Sequence, residues 1–465
     1  MEHATDDTLR AAVDDLTRRV DLPAAELVEL LLARIADTHE AINAYITVSA
    51  DVARADAARS DERRARGEHL GPLDGLPIAV KDNIDVAGVR STRGSAFFAD
   101  HIPTEDAEVV RRLRAAGAIV LGKVTLHEFA YGASTDNAHY GACHNPWDLG
   151  RVPGGSSGGS GAALGADLCV AALGTDTGGS VRIPAALNNV SALRPTYGLV
   201  STRGTFPVSA ALDTVGPMAR TIEDVAQLLA VMAGYDRDDP HAAEHPFADP
   251  LAHLHDGVTG LRIGLPRPFF YAGLEPSIAA ATQAAAKGFA ALGADVVELD
   301  FAGAEDASAV ATLLIRAEAT SVHRERLDRE PERFGADVRR RLALGDDISG
   351  PDVARALAVM RDWRVQMLQQ FDGVDLMLTP TTNTTAPLIG DADMIQMTTQ
   401  LTRFTYAWSL AGMPAASVPA GFDERGLPIG VQLAAAPWRD DIVLRAGHAW
   451  QQATDWHRRR PAAFP

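Results

Sequence analysis

Only two cysteines occur in the 465 residues, Cys143 and Cys169. One pair cannot build the disulfide framework of a small secreted domain, so a reducing compartment is the default. Long apolar runs are also missing, and no stretch approaches the roughly 18 residues of a membrane-spanning helix. The opening MEHATDDTLRAAVDDL carries acids where a secretory signal has a basic start and an apolar core. Positive charge is scarce: 43 Lys and Arg against 61 Asp and Glu leave a formal net charge of −18. That balance argues against a nucleic-acid or anionic-membrane surface. A cytoplasmic protein with neither nucleic acid nor membrane as partner is expected.

Metal-ligand spacing is lacking as well. His241-Ala-Ala-Glu244-His245 spells the inverted zinc-protease motif. Its histidines need a helix to share one face, however, and Pro240, Pro246 and Pro250 surround them. Neither a metal nor a cofactor is expected.

What the chain does have is 46% hydrophobic residues, ordinary for a globular protein, and enough length for one large α/β unit. Pro23 and the stripe Leu27, Leu30, Leu31 and Ile35 predict a helix over 23–38, part of an N-terminal helical arm spanning 1–60. LPIAV leads as a strand into Lys81. A helix over 105–116 and a strand over 118–121 follow, and strand, helix, strand implies α/β architecture with parallel pairing. Thr125 and Glu128 fit a capping box. Residues 235–256 are polar, proline-rich and irregular, whereas 260–375 alternates strands and helices. A strand over 375–378, a helix-rich piece over 393–411, a hairpin around Arg425-Gly426 and a last helix over 441–452 complete the reading.

Two glycine-serine clusters, Gly154–Ser160 and Thr175–Ser180, bracket an apolar bridge. Ordering glycine is entropically costly, so two clusters this close need a reason. Gly154-Gly-Ser156-Ser-Gly158 matches the G-x-S-x-G elbow, but that elbow needs a preceding strand and NPWDLGRVP reads as a loop. In GTDTGGS, the glycines leave a row of backbone amides unobstructed, able to cradle an oxyanion or another anion. A phosphate loop would need lysine after the glycines, and Val181 stands there. No histidine falls near either cluster, so a serine nucleophile would need a lysine as base. Lys81 is the lysine with a buried-looking context. Pairing with Asp82 or Asp85 as a purely structural cation is equally open at this point.

Lys81 in VKDN, Ser156 in PGGSSGGS and Ser180 in GTDTGGSVR, with the serines 24 positions apart, together resemble the amidase signature family. EFAYGASTDN (128–137), NPWD (145–148), RPTYG (194–198), DTVGPMART (213–221) and the tail from LAGMPAASVPAGF to ATDWHRRRP extend the resemblance over most of the chain. It implies a single large domain over 61–465, with a central mixed, mostly parallel twisted sheet covered by helices on both faces. The core, 70–234, would carry the chemistry, and the variable part, 260–410, would shape the pocket. The implied triad is Ser180 as nucleophile, Ser156 on a cis peptide bond as proton relay, and neutral Lys81 as base. Amides of Thr177, Gly178, Gly179 and Ser180 would form the oxyanion hole. Ser157 would be a supporting hydrogen-bonder, and Asp176 with Arg182 would brace the loop by pairing.

One relation within that family is the A subunit of the glutamine-dependent tRNA amidotransferase, which the chain also resembles in RFGADVRRRLALG (333–345). There, an acid just before the LAG-L-P-like segment helps hold the amino acid. LTRFTYAWSLAGMP (401–414) has Arg403 in that region and no acid. The departure predicts a stand-alone amidase, monomeric or homodimeric, acting on a small apolar or aromatic carboxamide. Tyr131, Gly132, Tyr406 and Trp408 are its candidate pocket residues. The alternatives are a carbamate (urethane) or ester hydrolase with the same triad and, beyond that, an amidotransferase component of the A type.

Overall fold

The computed structural model describes residues 22–390 and 393–464. The first 21 residues of the expected arm lie outside the described residues. The arm's helix, Ala24–Ile42, buries Leu27, Val28, Leu31 and Ile35 in the same core as the sheet.

Thirteen strands are described: β1 (Tyr45–Val48), β2 (Pro77–Lys81), β3 (Ile119–Val124), β4 (Asp136–Asn137), β5 (Gly141–Ala142), β6 (Ala171–Asp176) and β7 (Ser191–Arg194) in the first half. The second half adds β8 (Thr214–Ala219), β9 (Arg262–Pro268), β10 (Asp295–Phe301), β11 (Leu376–Pro380), β12 (Ala415–Phe422) and β13 (Pro428–Ala434). Eleven of them form one sheet in the order β1-β3-β2-β6-β8-β7-β12-β13-β11-β9-β10, and β4 and β5 make a separate ribbon. The class is α/β with a mixed sheet. Parallel pairs join β3, β2 and β6 on one flank and β11, β9 and β10 on the other. The strands between them, from β6 through β8, β7, β12 and β13 to β11, pair antiparallel.

β2, β3, β6, β8, β11 and β13 are buried at every residue. Strands covered on both faces read as continuous apolar runs, which is why alternation is weak in their sequence. The edge strand β10 does alternate, and its exposed Asp295, Glu298 and Asp300 discourage pairing with another chain. A second core lies beneath helices Ala304–Arg329, Gly350–Gln370 and Tyr406–Ala411. The helix-rich piece over 393–411 consists of two helices, Met394–Thr402 and Tyr406–Ala411, with a break at Arg403–Thr405.

Because β2 and β6 run parallel, their C-terminal ends, Lys81 and Asp176, lie at the same edge of the sheet. Loops leaving the carboxyl ends of parallel strands are where ligand sites gather in open α/β sheets. Both glycine-serine clusters are at that edge. The first leads into helix Gly158–Gly165 and the second into helix Arg182–Asn188.

Candidate active site

Lys81 is fully buried, and its Nζ contacts Ser156 Oγ and Thr175 Oγ1, both at 2.7 Å. Neither neighbouring acid pairs with it. Asp82 faces Lys123 at 3.2 Å and accepts from the Thr92 amide, while Asp85 is taken by Arg93 at 3.0 Å. The reading of Lys81 as a structural cation is thereby answered. Burial pulls its pKa down to about 7, against the longer-range pull of Asp213 and Asp176.

Ser156 is held by its backbone. The Gly155–Ser156 peptide bond is cis. The Ser156 carbonyl accepts from His127 N–H at 3.2 Å, and Thr135 Oγ1 donates to Gly154 O at 2.8 Å. A Cβ on Gly155 would sit 2.8 Å from the Ala133 carbonyl carbon and 2.9 Å from Thr135 Oγ1, so only glycine fits this approach. Ser157 joins the two loops. Its N–H donates to Ser180 O at 3.2 Å, while its hydroxyl donates to Thr175 O at 3.2 Å and accepts from Thr175 N–H at 3.3 Å.

Asp176 is the anchor of the second loop. It accepts from Gly179 N–H at 2.8 Å, Val181 N–H at 3.3 Å, Arg182 Nε at 3.0 Å and Arg194 Nη1 at 3.1 Å. Burial alone would raise its pKa, but Arg182, Arg194 and these hydrogen bonds hold the carboxyl well below the usual carboxylate range. Arg182 in turn reaches Gln432 Oε1 at 2.6 Å, Ser409 Oγ at 2.8 Å and Thr405 O at 3.2 Å. The expected Asp176–Arg182 brace is present, and Arg194, which the sequence did not single out, doubles it. The same network changes one expectation. Gly179 N–H points to Asp176, so it is spent inside the loop rather than offered to an oxyanion. The glycine itself is required by its φ of 124° and by Thr405 packed where a Cβ would go. The amides of Gly178 and Ser180 have no partner among the described residues, nor has the Ser180 hydroxyl. Thr177 is anchored from its side chain, which donates to Asp213 Oδ1 at 2.5 Å.

Ser180, Thr177 and Gly178 open onto a cavity of ≈ 70 Å³ that is also lined by Tyr131, Gly132 and Tyr406. Three of the four expected pocket residues are therefore at its wall. Trp408 is not. It is completely buried in the second core, stacked on Phe270 at 5.1 Å between ring centroids. On a helix, residues two apart point to different sides, so Tyr406 and Trp408 cannot both face the cavity.

Two guanidinium groups that sequence reasoning passed over also line the cavity, Arg316 and Arg341. Arg341 stands in RFGADVRRRLALG, a stretch that carries family resemblance but spells no chemical motif. Its Nε donates to Asp337 Oδ2 at 2.7 Å, and that carboxylate also meets His127 Nε2 at 3.1 Å. The expected Thr125–Glu128 capping box does not form. Thr125 Oγ1 donates to Asn43 O, whereas Glu128 accepts from Ser95 Oγ and Gly335 N–H across the fold. A long-range demand on each side chain overrode the local cap.

Comparison with known proteins gives the family of the chain. Residues 26–444 match the model of the family described as Amidase. The A subunit of the glutamyl-tRNA(Gln) amidotransferase of Pseudomonas aeruginosa is 41% identical, over 95% of this chain and 96% of that protein. A solved structure from a vestigial protein complex described as revealing the evolutionary origins of an s-triazine catabolic enzyme is 36% identical. It superposes with a TM-score of 0.89, over 96% of this chain and 98% of that one. A 6-aminohexanoate cyclic dimer hydrolase complexed with substrate is 28% identical, with a TM-score of 0.88 over 99% and 100% of the two chains. The expectation that set this chain apart from the tRNA amidotransferase A subunits is corrected by the first of these relatives, which matches almost end to end. With the fold, the family match and full-length relatives in agreement, the chain belongs to the amidase family and is a hydrolase of carbon–nitrogen bonds.

Proposed function

We propose that this enzyme hydrolyses the amide bond of a small carboxamide through an acyl-enzyme on Ser180, with Ser156 and Lys81 as its proton relay. The observation that carries the reading is the buried contact of Lys81 Nζ with Ser156 Oγ at 2.7 Å, around a lysine whose pKa falls to about 7. A lysine serves as base only when its neutral form is accessible near the working pH. With Lys81 neutral, its lone pair accepts the Ser156 proton while Ser156 Oγ takes the Ser180 proton. Ser180 Oγ then bonds to the carbonyl carbon, and the negative charge that develops on the carbonyl oxygen is met by the amides of Gly178 and Ser180. Removing one such donor typically costs roughly 3–4 kcal/mol of transition-state stabilisation. The relay runs backward to protonate the leaving nitrogen as the C–N bond breaks. Water, deprotonated by the same relay, then cleaves the ester and releases the acid.

A second reading, an amidotransferase component of the A type that liberates ammonia from glutamine, has the 41% identity in its favour. Against it, no Asp or Glu among the described residues lines the cavity to take an α-ammonium group. Purifying the chain alone and assaying aryl amides, aryl carbamates, glutaramate and glutamine separates the two. The proposal expects turnover of an amide without a partner protein, abolished in Ser180→Ala and severely reduced in Ser156→Ala. Turnover of glutamine alone, and only with partner proteins, would replace it with the second reading. Substantial activity in Ser180→Ala would remove the nucleophile.

A further inference from the structure

We propose that Arg316 forms a carboxylate-binding subsite in the cavity in front of Ser180, so that the substrate is a short-chain amide bearing a carboxylate and no ammonium group. The inference rests on the amide-hydrolase reading of the same site and names the class of substrate.

Arg316 comes from helix Ala304–Arg329, where Thr312, Ile315 and Arg316 stand at positions i, i+3 and i+4 and so share one face. All three line the cavity that holds Ser180. Arg316 makes no hydrogen bond and no ion pair among the described residues, although it is partly buried. The other cavity guanidinium differs. Arg341 is answered by Asp337, and its Nη2 donates to Thr398 Oγ1 at 2.9 Å and to Met394 O. Glu318, two residues along the same helix from Arg316, is committed to Ser209 Oγ and the Ala211 amide. No other acid stands in: among the described residues, the cavity wall contains no Asp or Glu.

The cavity is therefore a locally positive spot in a chain whose net charge is −18. Tyr131 and Tyr406 share the cavity wall with Arg341 and Arg316. A guanidinium partly withdrawn from water and left without a counter-charge is stabilised by an anion, and its planar fork matches a carboxylate in two parallel hydrogen bonds. Arg316 and Ser180 line the same small cavity, so the carboxylate and the amide belong to one short substrate. An α-amino acid amide would also bring an ammonium group to a wall that offers it only arginines, hydroxyls and apolar side chains. Like charges at such range oppose binding.

The full chain carrying Ser180→Ala tests this by calorimetry with three probes. Glutaramate has a carboxylate, glutaramide replaces it with a neutral amide, and glutamine adds an α-ammonium group. Glutaramate is expected to bind roughly tenfold or more tighter than either. Adding Arg316→Gln should weaken glutaramate by a similar factor and leave glutaramide unchanged, with Arg316→Lys restoring part of the loss. A melting curve for each variant confirms that the fold is retained. Equal binding of glutaramide and glutaramate, an Arg316→Gln variant that keeps the preference, or no measurable binding of glutaramate each overturns the subsite. Glutamine binding as tightly as glutaramate overturns the exclusion of the ammonium group. Since the readout is binding without a nucleophile, a wild-type enzyme that binds glutaramate but turns over no amide would count against the hydrolytic reading alone.

Discussion

Lys81 Nζ and Ser156 Oγ lie 2.7 Å apart although 75 positions separate them in the chain. Lys81 is carried to the contact by the C-terminal end of β2, and Ser156 by a loop whose glycines allow the backbone to press against Ala133 and Thr135. Both side chains are buried, so the contact is shielded from water and from salt. The geometry links the sheet's edge directly to proton transfer.

The pH profile follows from that burial. A lysine pulled down to about 7 is charged and inactive as a base below that value and neutral above it. The rate, kcat/KM, should therefore rise through about pH 7 to a plateau. Stability follows the same sign. The unfolded lysine keeps its proton up to about pH 10.4, so the unfolded state binds more protons between the two pKa values and this group's contribution to stability rises with pH there. A rate that falls steadily across that window, in a protein still folded by circular dichroism, would count against Lys81 as the base. Lys81→Ala should reduce turnover to near the detection limit.

The Asp176 network should be costly to break. Arg182→Ala would leave a fully buried carboxylate with only Arg194 as its cation, and would orphan Gln432 Oε1 while leaving Ser409 Oγ only its bond to Thr405 O. Removing one member of a buried ion pair typically costs about 3–5 kcal/mol. Urea unfolding should show a loss of that order, with kcat falling as well because Asp176 also fixes the Gly179 and Val181 amides. A shift below about 1 kcal/mol would mean that water enters and replaces the guanidinium.

How far the sequence could be read depended on how local each signal was. The two glycine-serine loops were legible because a tight backbone approach leaves its mark in the residues that make it. Lys81 was not decided by the chain alone, since Asp82 and Asp85 beside it were equally good partners until Lys123 and Arg93 were seen to take them. Helix Ala50–Ala65 went unread because it buries only Ala53, Ala57 and Ser60, too small a set to make an apolar stripe. Arg316 escaped for a related reason: its meaning is the lack of a partner, and that exists only in three dimensions.

Gly178 offers a test of the loop against the pocket. A Cβ at this position would run into the ring of Tyr406, so Gly178→Ala must move either the oxyanion loop or the tyrosine. If the amide of Gly178 is displaced, kcat should drop by roughly 10²–10³. Shortening the obstacle with Tyr406→Leu in the same chain should recover part of that loss. Gly178→Ala with unchanged kcat and a raised KM would instead show that the tyrosine yields and the loop does not.

Trp408 separates packing from catalysis. Its indole is fully buried against Phe270 and Phe301, and Nε1 has no hydrogen-bond partner among the described residues. Trp408→Ala should destabilise the protein by about 3–5 kcal/mol through the cavity it leaves. Trp408→Phe loses some volume but also removes a buried unpaired donor, and those two effects oppose each other. Its net change should stay within about 1 kcal/mol. In both variants that remain folded at the assay temperature, KM should match the wild type, whereas Tyr406→Ala, altering the cavity wall itself, should change KM. A Trp408→Phe enzyme with a normal melting curve and an altered KM would return the indole to the substrate site and contradict its packing in the second core.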